Sequence, residues 1–262
     1  YVVAQAVLPQ QDVTNGTLTI QVVEGRIDQI LASPNTWNQD NKLVNGFRSN
    51  YNGKILSLDE VTNTLSRVGE ATGTIGSISL EPSKKAGGTD VVVAAKPLPA
   101  FFYGFTTDNM GNKSTGTYRV NTFAGGHSWL ADGDATRFEL GSTDQPDRSR
   151  RVDLTYTMPF GFSGWTGSVR GWMTDYSLGG TFASTQATGN AQAAETALNY
   201  ALQRTSNARS DWRSGYSFVN LTDKVATGNS NRQRHSQSIW TTLSGYVDDT
   251  ALGTRARNVY AM

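Results

Sequence analysis

Arg151-Val152-Asp153-Leu154-Thr155-Tyr156-Thr157-Met158 decides the fold, because Val152, Leu154, Tyr156 and Met158 alternate with Arg151, Asp153, Thr155 and Thr157. A period of two puts these sets on opposite faces of a strand, one apolar and one polar. The pattern returns downstream as Leu198, Tyr200 and Leu202 against Asn199, Ala201 and Gln203, and as Trp212, Tyr216 and Phe218 against Asp211, Arg213 and Ser217. Around these stretches, segments 101–107, 115–122, 135–142, 150–158, 164–176, 194–204, 210–221 and 236–247 read as strands, with a ninth starting at Arg255. Sandwiches and membrane barrels share this alternation, so the connections must separate them. If the first strand enters a membrane, connections 108–114, 143–149, 178–192 and 222–235 lie on the far side and are mostly long and polar. Those at 123–134, 159–163, 205–209 and 248–254 lie on the near side and, except for the first, are short. Long far-side loops, short near-side turns and strands of roughly 9 to 13 residues predict an antiparallel transmembrane β-barrel.

The chain has 262 residues, 27 of them Gly and none of them Cys. A disulfide framework, a Cys-ligated zinc site and a thiol nucleophile are excluded together. Lys and Arg number 23 against 22 Asp and Glu, a net charge of +1, which argues against a nucleic-acid partner. No apolar run is long enough for a membrane helix, while a mean hydropathy of −0.43 suits strands that are polar on one side. Residue 1 is Tyr, and Tyr1-Val2-Val3 already reads as strand, so the expectation is a fragment lacking its true start.

Composition shifts at Pro97-Leu98-Pro99. Upstream, 1–8 and 17–23 read as a hairpin through Asn15-Gly16. A strand over 26–31 is followed by a weak helix carrying Leu43, Val44 and Phe47. A second helix opens on Ser57-Leu58-Asp59-Glu60, a capping box, and carries Leu58, Val61, Leu65 and Val68 on one stripe up to Gly69, the expected C-cap. Strands over 75–80 and 89–95 turn through Ala86-Gly87-Gly88 and complete a small α+β module.

Three stretches resemble a known family. Leu8-Pro9-Gln10-Gln11-Asp12, Asn15-Gly16-Thr17-Leu18-Thr19-Ile20 and Val22-Val23-Glu24-Gly25-Arg26-Ile27 resemble the end of the first periplasmic POTRA domain of two-partner secretion transporters, the haemolysin secretion and activation proteins of Gram-negative outer membranes. The α+β module is similar to their second POTRA domain, with Leu80-Glu81-Pro82 ahead of Gly87-Gly88-Thr89-Asp90-Val91. Asp108-Asn109-Met110-Gly111-Asn112 and Ser114-Thr115-Gly116 resemble the stretch joining the first two barrel strands. The resemblance implies an outer-membrane protein translocase whose POTRA domains bind the secretion domain of a haemolysin- or adhesin-type exoprotein, and whose monomeric barrel, set in outer-membrane lipid and lipopolysaccharide, passes the unfolded chain. It divides the sequence into the tail of a first POTRA domain (1–25), a second POTRA domain (26–97) and the N-terminal half of the barrel (98–262). The family's long inward loop with its Arg-Gly-Tyr-type motif has no counterpart here. A general diffusion porin would lack the α+β module, and a soluble all-β binding protein would need no detergent.

No catalytic, cofactor or metal site is expected. His127 and His235 have no partner at ligand spacing, Gly161-Phe162-Ser163-Gly164 is not a nucleophile elbow, and Lys84-Lys85 lacks the rest of a phosphate loop. Asp248 and Asp249 are adjacent and read as a solvated turn, and Arg232-Gln233-Arg234-His235 falls in an expected external loop. The functional candidates are two surfaces. Arg119, Arg137, Glu139, Asp153, Asp211 and Arg213 fall on the face opposite the aromatic one, which in a barrel lines water and whose mixed charges would let a polypeptide pass without a strong binding site. Ser77, Ser79 and Glu81 form the polar face of an exposed edge strand to which an extended client segment can add, so that proline at Ser79 is expected to weaken binding while the module stays folded.

Overall fold

A computed structural model describes residues 5–11, 16–23, 26–34, 42–51, 57–85, 88–249 and 256–262. The expected hairpin forms as β1 (Gln5–Val7) antiparallel to β2 (Gln21–Val23), with Gln5 opposite Val23. It is shorter than the sequence reading, since 17–20 carries no strand; Gly16 has a φ of 72°, and Asn15 lies outside the described residues.

The α+β module comprises β3 (Arg26–Ala32), α1 (Lys42–Tyr51), α2 (Leu58–Thr72), β4 (Thr74–Pro82) and β5 (Gly88–Pro97). Central β5 runs parallel to β3 and antiparallel to β4. Its alternation buries Thr89, Val91, Val93 and Ala95 on the face the helices cover. Against that row pack Ile27 and Ile30 of β3, Leu43, Val44, Phe47 and Tyr51 of α1, and Val61 and Val68 of α2, with Leu65, Ile78 and Leu80 around them. Ten residues with a central Gly46 make α1 a poor helix by itself, and burial of its apolar face supplies the stability.

Two expectations for α2 change. Ser57 makes no side-chain cap; Glu60 instead accepts a hydrogen bond from the Tyr51 hydroxyl at 3.0 Å, tying the second helix to the first. The helix passes Gly69 and ends at Gly73, whose φ of 64° suits a residue without Cβ and whose N–H returns to the Gly69 carbonyl. The Leu58 side chain and the turn at 86–87 lie outside the described residues.

Nine strands then form one antiparallel meander in sequence order: β6 (Phe102–Asp108), β7 (Arg119–His127), β8 (Ala135–Thr143), β9 (Ser149–Pro159), β10 (Trp165–Ser177), β11 (Ala187–Arg204), β12 (Ala208–Val225), β13 (Ser230–Asp249) and β14 (Ala256–Ala261). Every expected strand is present, and β7 starts four residues later than read. Two expected far-side loops shrink. The 178–192 connection becomes 178–186, containing a 3-10 turn at Gly180–Thr185, and 222–235 becomes the tight turn 226–229. The polar residues assigned to those loops continue the ladder as far as Val225 opposite Ser230. A tilted crossing needs about 9 to 11 residues, so strands of 18 to 20 stand well clear of a bilayer, where both faces are wet and no alternation marks them.

Candidate functional site

Among the described residues β4 pairs with β5 alone, leaving its other edge open. Ser77, Ser79 and Glu81 are exposed, while Ile78 and Leu80 lean on the core. The Ser33 amide donates to the Val93 carbonyl at 2.8 Å, so Val93 turns its backbone groups to β3 and Val92 turns its own to β4. Val92 lies opposite Ser79. Ser79 therefore engages its N–H inside the sheet, and Ile78 and Leu80 present theirs to the open edge. Proline at Ser79 would break the module's own ladder, contrary to the expectation from sequence, and the position that tests the edge is Leu80.

In the meander, cross-strand partners share a face. Glu139 lies opposite Asp153, Asp153 opposite Trp172, Arg137 opposite Thr155, Arg119 opposite Thr143, Asp211 opposite Ala201, and Arg213 opposite Asn199. With two-residue steps along each strand, all six candidates fall on one side. Five of the six are held in ion pairs rather than standing free. Arg119 pairs with Asp108 at 2.7 Å and Arg137 with Glu139 at 2.9 Å. Asp153 takes Arg151 at 3.1 Å and Arg170 at 2.6 Å, and Arg170 reaches on to Glu195. Asp211 takes Arg204 and Arg209. Arg213 has no carboxylate partner among the described residues; its Nη2 reaches the Ser168 hydroxyl only at 3.5 Å.

Contrary to the expectation from sequence, this side carries aromatic residues too. Arg137 lies over the Phe123 ring at 3.9 Å, Arg151 over Trp172 at 4.6 Å, Arg213 over Trp240 at 5.1 Å and Arg257 over Tyr246 at 4.0 Å. The overlooked signal is glycine inside strands: a Cβ at Gly104 would sit 2.6 Å from the Phe123 ring, and one at Gly215 would sit 2.5 Å from Trp240.

The opposite face is apolar and open. Tyr103 is 78% exposed, Phe105 72% and Ile239 85%, with Leu154, Val169, Met173, Leu198 and Tyr216 also exposed. A face of this kind needs a covering, which a bilayer provides. The register fixes its limits. Towards the near side, Trp165, Tyr200 and Trp212 stand opposite one another, with ring centroids 4.7 and 5.9 Å from Trp165, an aromatic belt. Towards the far side, the row Arg150, Asp175, Asn190, Thr222 and Gln233 is wholly polar.

The remaining candidates find ordinary roles. Ser163 donates to the Phe160 carbonyl at 2.9 Å within a near-side turn, and the His127 ring meets the Pro99 carbonyl. Lys85 and Ser83 both bond Asp28 and hold its carboxyl below the usual range. Asp248 and Asp249 end β13 rather than forming a turn, with Asp248 paired to Arg257 at 2.7 Å. Arg232, Arg234 and His235 lie within β13, not in a loop; Arg234 pairs with Asp223 on the charged face, and His235 turns outward beside Asn220. No group of three metal-ligating side chains occurs among the described residues.

The family model for haemolysin secretion/activation protein ShlB/FhaC/HecB matches residues 87–243, and that for the ShlB-type POTRA domain matches residues 1–25. Heme/hemopexin transporter protein HuxB of Haemophilus influenzae is 26% identical over 94% of this chain and 43% of its own length. Outer membrane transporter CdiB of Dickeya dadantii is 25% identical over 62% of this chain and 29% of its own. Among solved structures, CdiB from Escherichia coli superposes with a TM-score of 0.65 at 21% identity, covering 93% of this chain and 46% of that one. The chain thus spans less than half the length of the curated relatives it matches.

Proposed function

Because the chain belongs to the haemolysin secretion/activation protein family ShlB/FhaC/HecB, we propose that it provides the client-docking module and the first half of the pore of a two-partner secretion translocase. The family is one of outer-membrane transporters, not of enzymes. We read residues 1–25 as the tail of a first POTRA domain, 26–97 as a second and 98–262 as the leading half of a barrel. The open edge of β4 takes the exoprotein's secretion domain by strand addition, and the charged face carries the unfolded chain outward. The observation that carries this reading is the two-faced meander, ion-paired on one side and openly apolar on the other. Mixed charges, most of them paired, keep the pore wet while giving a passing segment no single strong site. One barrel forms one pore, so the working unit is a monomer. Lipopolysaccharide lies against the polar row at Arg150 and Gln233, above the apolar band.

Arg213→Glu in the full-length protein tests the pore face. Two units of charge at about 10 Å in water change an ion's energy by about 0.8 kcal/mol, so the cation-to-anion permeability ratio in dilute potassium chloride rises several-fold. Unchanged selectivity in single-channel records would place Arg213 outside the pore.

A further inference from the structure

The module does not hang from the barrel on a loose tether. Leu98 donates its N–H to the Gly73 carbonyl at 2.9 Å, the Pro99 carbonyl meets His127 Nδ1 at 3.0 Å, and the Ala100 carbonyl accepts from Trp129 Nε1 at 2.7 Å. The linker 98–100 is thereby bonded on both sides. The β7–β8 turn that follows His127 and supplies Trp129 is itself fixed by Asp134, which is fully buried and accepts from the amides of Trp129, Leu130 and Ala131 and from the Tyr156 hydroxyl. Burial alone would raise the Asp134 carboxyl, but these donors hold it below the usual range. The same turn seats the end of α2: a Cβ at Gly133 would lie 2.5 Å from the Ala71 carbonyl, and Asp132 pairs with Lys42 of α1.

Two more near-side connections grip the helices. Phe162, in the β9–β10 turn, packs onto α1 at Gly46, where a Cβ would lie 2.8 Å from its ring and 2.7 Å from Val68 of α2. Beside the β11–β12 turn, Arg204 is only 5% exposed and bonds Glu70 of α2 at 3.1 Å as well as Asp211, while Arg209 reaches Glu70 at 3.7 Å. Arg67 Nη2 donates to the Ala201 carbonyl at 2.9 Å. Every described near-side connection therefore touches α1 or α2 or flanks a residue that does. A buried guanidinium shared between a helix carboxylate and a barrel carboxylate is costly to leave half paired, so this contact resists separation.

We propose that Glu70 and Phe162 are positioning residues: through Arg204 and the seat at Gly46 they hold the module rigid against the near rim, so that a client captured on β4 is presented at the pore mouth. This rests on the translocase reading above. The test uses the full-length protein with Glu70→Arg, which faces Arg204 and Arg209 with a like charge, and Phe162→Ala, which takes the ring off α1. Glu70→Asp serves as the conservative variant. Spin labels at Lys84 and Ser206 report the spread of module-to-rim distances. The purified secretion domain of the exoprotein encoded beside the transporter gene reports client binding, and release of that exoprotein from cells reports transport.

The expected result is one narrow distance for wild type and Glu70→Asp, and a broad distribution for Glu70→Arg and Phe162→Ala. Client binding should stay within about twofold of wild type while release falls about tenfold. Narrow distances in both disruptive variants would overturn the rigid joint, and broad distances with full release would overturn its positioning role. A wild type with a narrow distance that neither binds the client nor releases it would contradict the translocase reading, and with it the positioning role, while leaving the joint itself standing.

Discussion

Leu80→Pro in the full-length protein should weaken binding of the exoprotein's secretion domain by at least about tenfold, while Leu80→Ala stays close to wild type. The Leu80 amide points to the open edge of β4, so proline there leaves the pairing with β5 intact. It removes the N–H that β4 would donate to an added strand and puts a ring where that strand must approach. A lost hydrogen bond costs about 0.5–1.5 kcal/mol and an acceptor left unpaired costs more, and about 1.4 kcal/mol already makes a tenfold change in affinity. The alanine variant loses the same partly buried side chain but keeps the amide, so it separates packing from edge pairing. Equal binding by the two variants would mean that clients do not dock by strand addition at β4.

The choice of Leu80 over Ser79 illustrates what was legible in the sequence. Alternation placed Ser77, Ser79 and Glu81 on the exposed face correctly, because a period of two is a property of the strand itself. Which amides face outward depends on the neighbour's register, set here by Ser33 and Val93, and no local pattern encodes it. The barrel strands were legible for the same reason as β4, and their far ends were not, because a ladder wet on both sides loses its alternation. The aromatic rings on the charged face escaped a reading based on polarity, although glycines such as Gly104 and Gly215 mark the space they occupy. The joint was wholly hidden: Arg67 and Ala201 are 134 residues apart, as are Glu70 and Arg204, and only the assembled fold brings them together.

Phe47→Ala should cost the module a large part of its stability. Phe47 is fully buried and stacks on Tyr51 with centroids 5.4 Å apart, in the core that it shares with Ile27, Ile30, Val61, Val68, Val91 and Val93. Truncating a buried Phe costs about 3–5 kcal/mol, against a total of about 4–10 kcal/mol for a unit of this size. The open population should rise by about 100-fold or more, read as the rate of proteolytic cleavage within the module of the full-length protein in detergent. Phe47→Leu, which keeps most of the volume, should raise the rate far less. Unchanged cleavage with alanine would mean that the joint with the barrel, not the module's own core, holds the helices in place.

If the charged face of the meander is the path of the exoprotein and the apolar face meets lipid, adjacent residues of one strand meet different partners during secretion. Leu154 and Thr155 are neighbours in β9 on opposite faces, with Thr155 opposite Arg137 and Arg170. A photo-crosslinking residue placed at each position in turn, and irradiated during secretion by cells making the full-length transporter, tests this directly. The prediction is a crosslink to the exoprotein from position 155 and none from position 154; exoprotein crosslinks from both positions, or from neither while secretion proceeds, would contradict it.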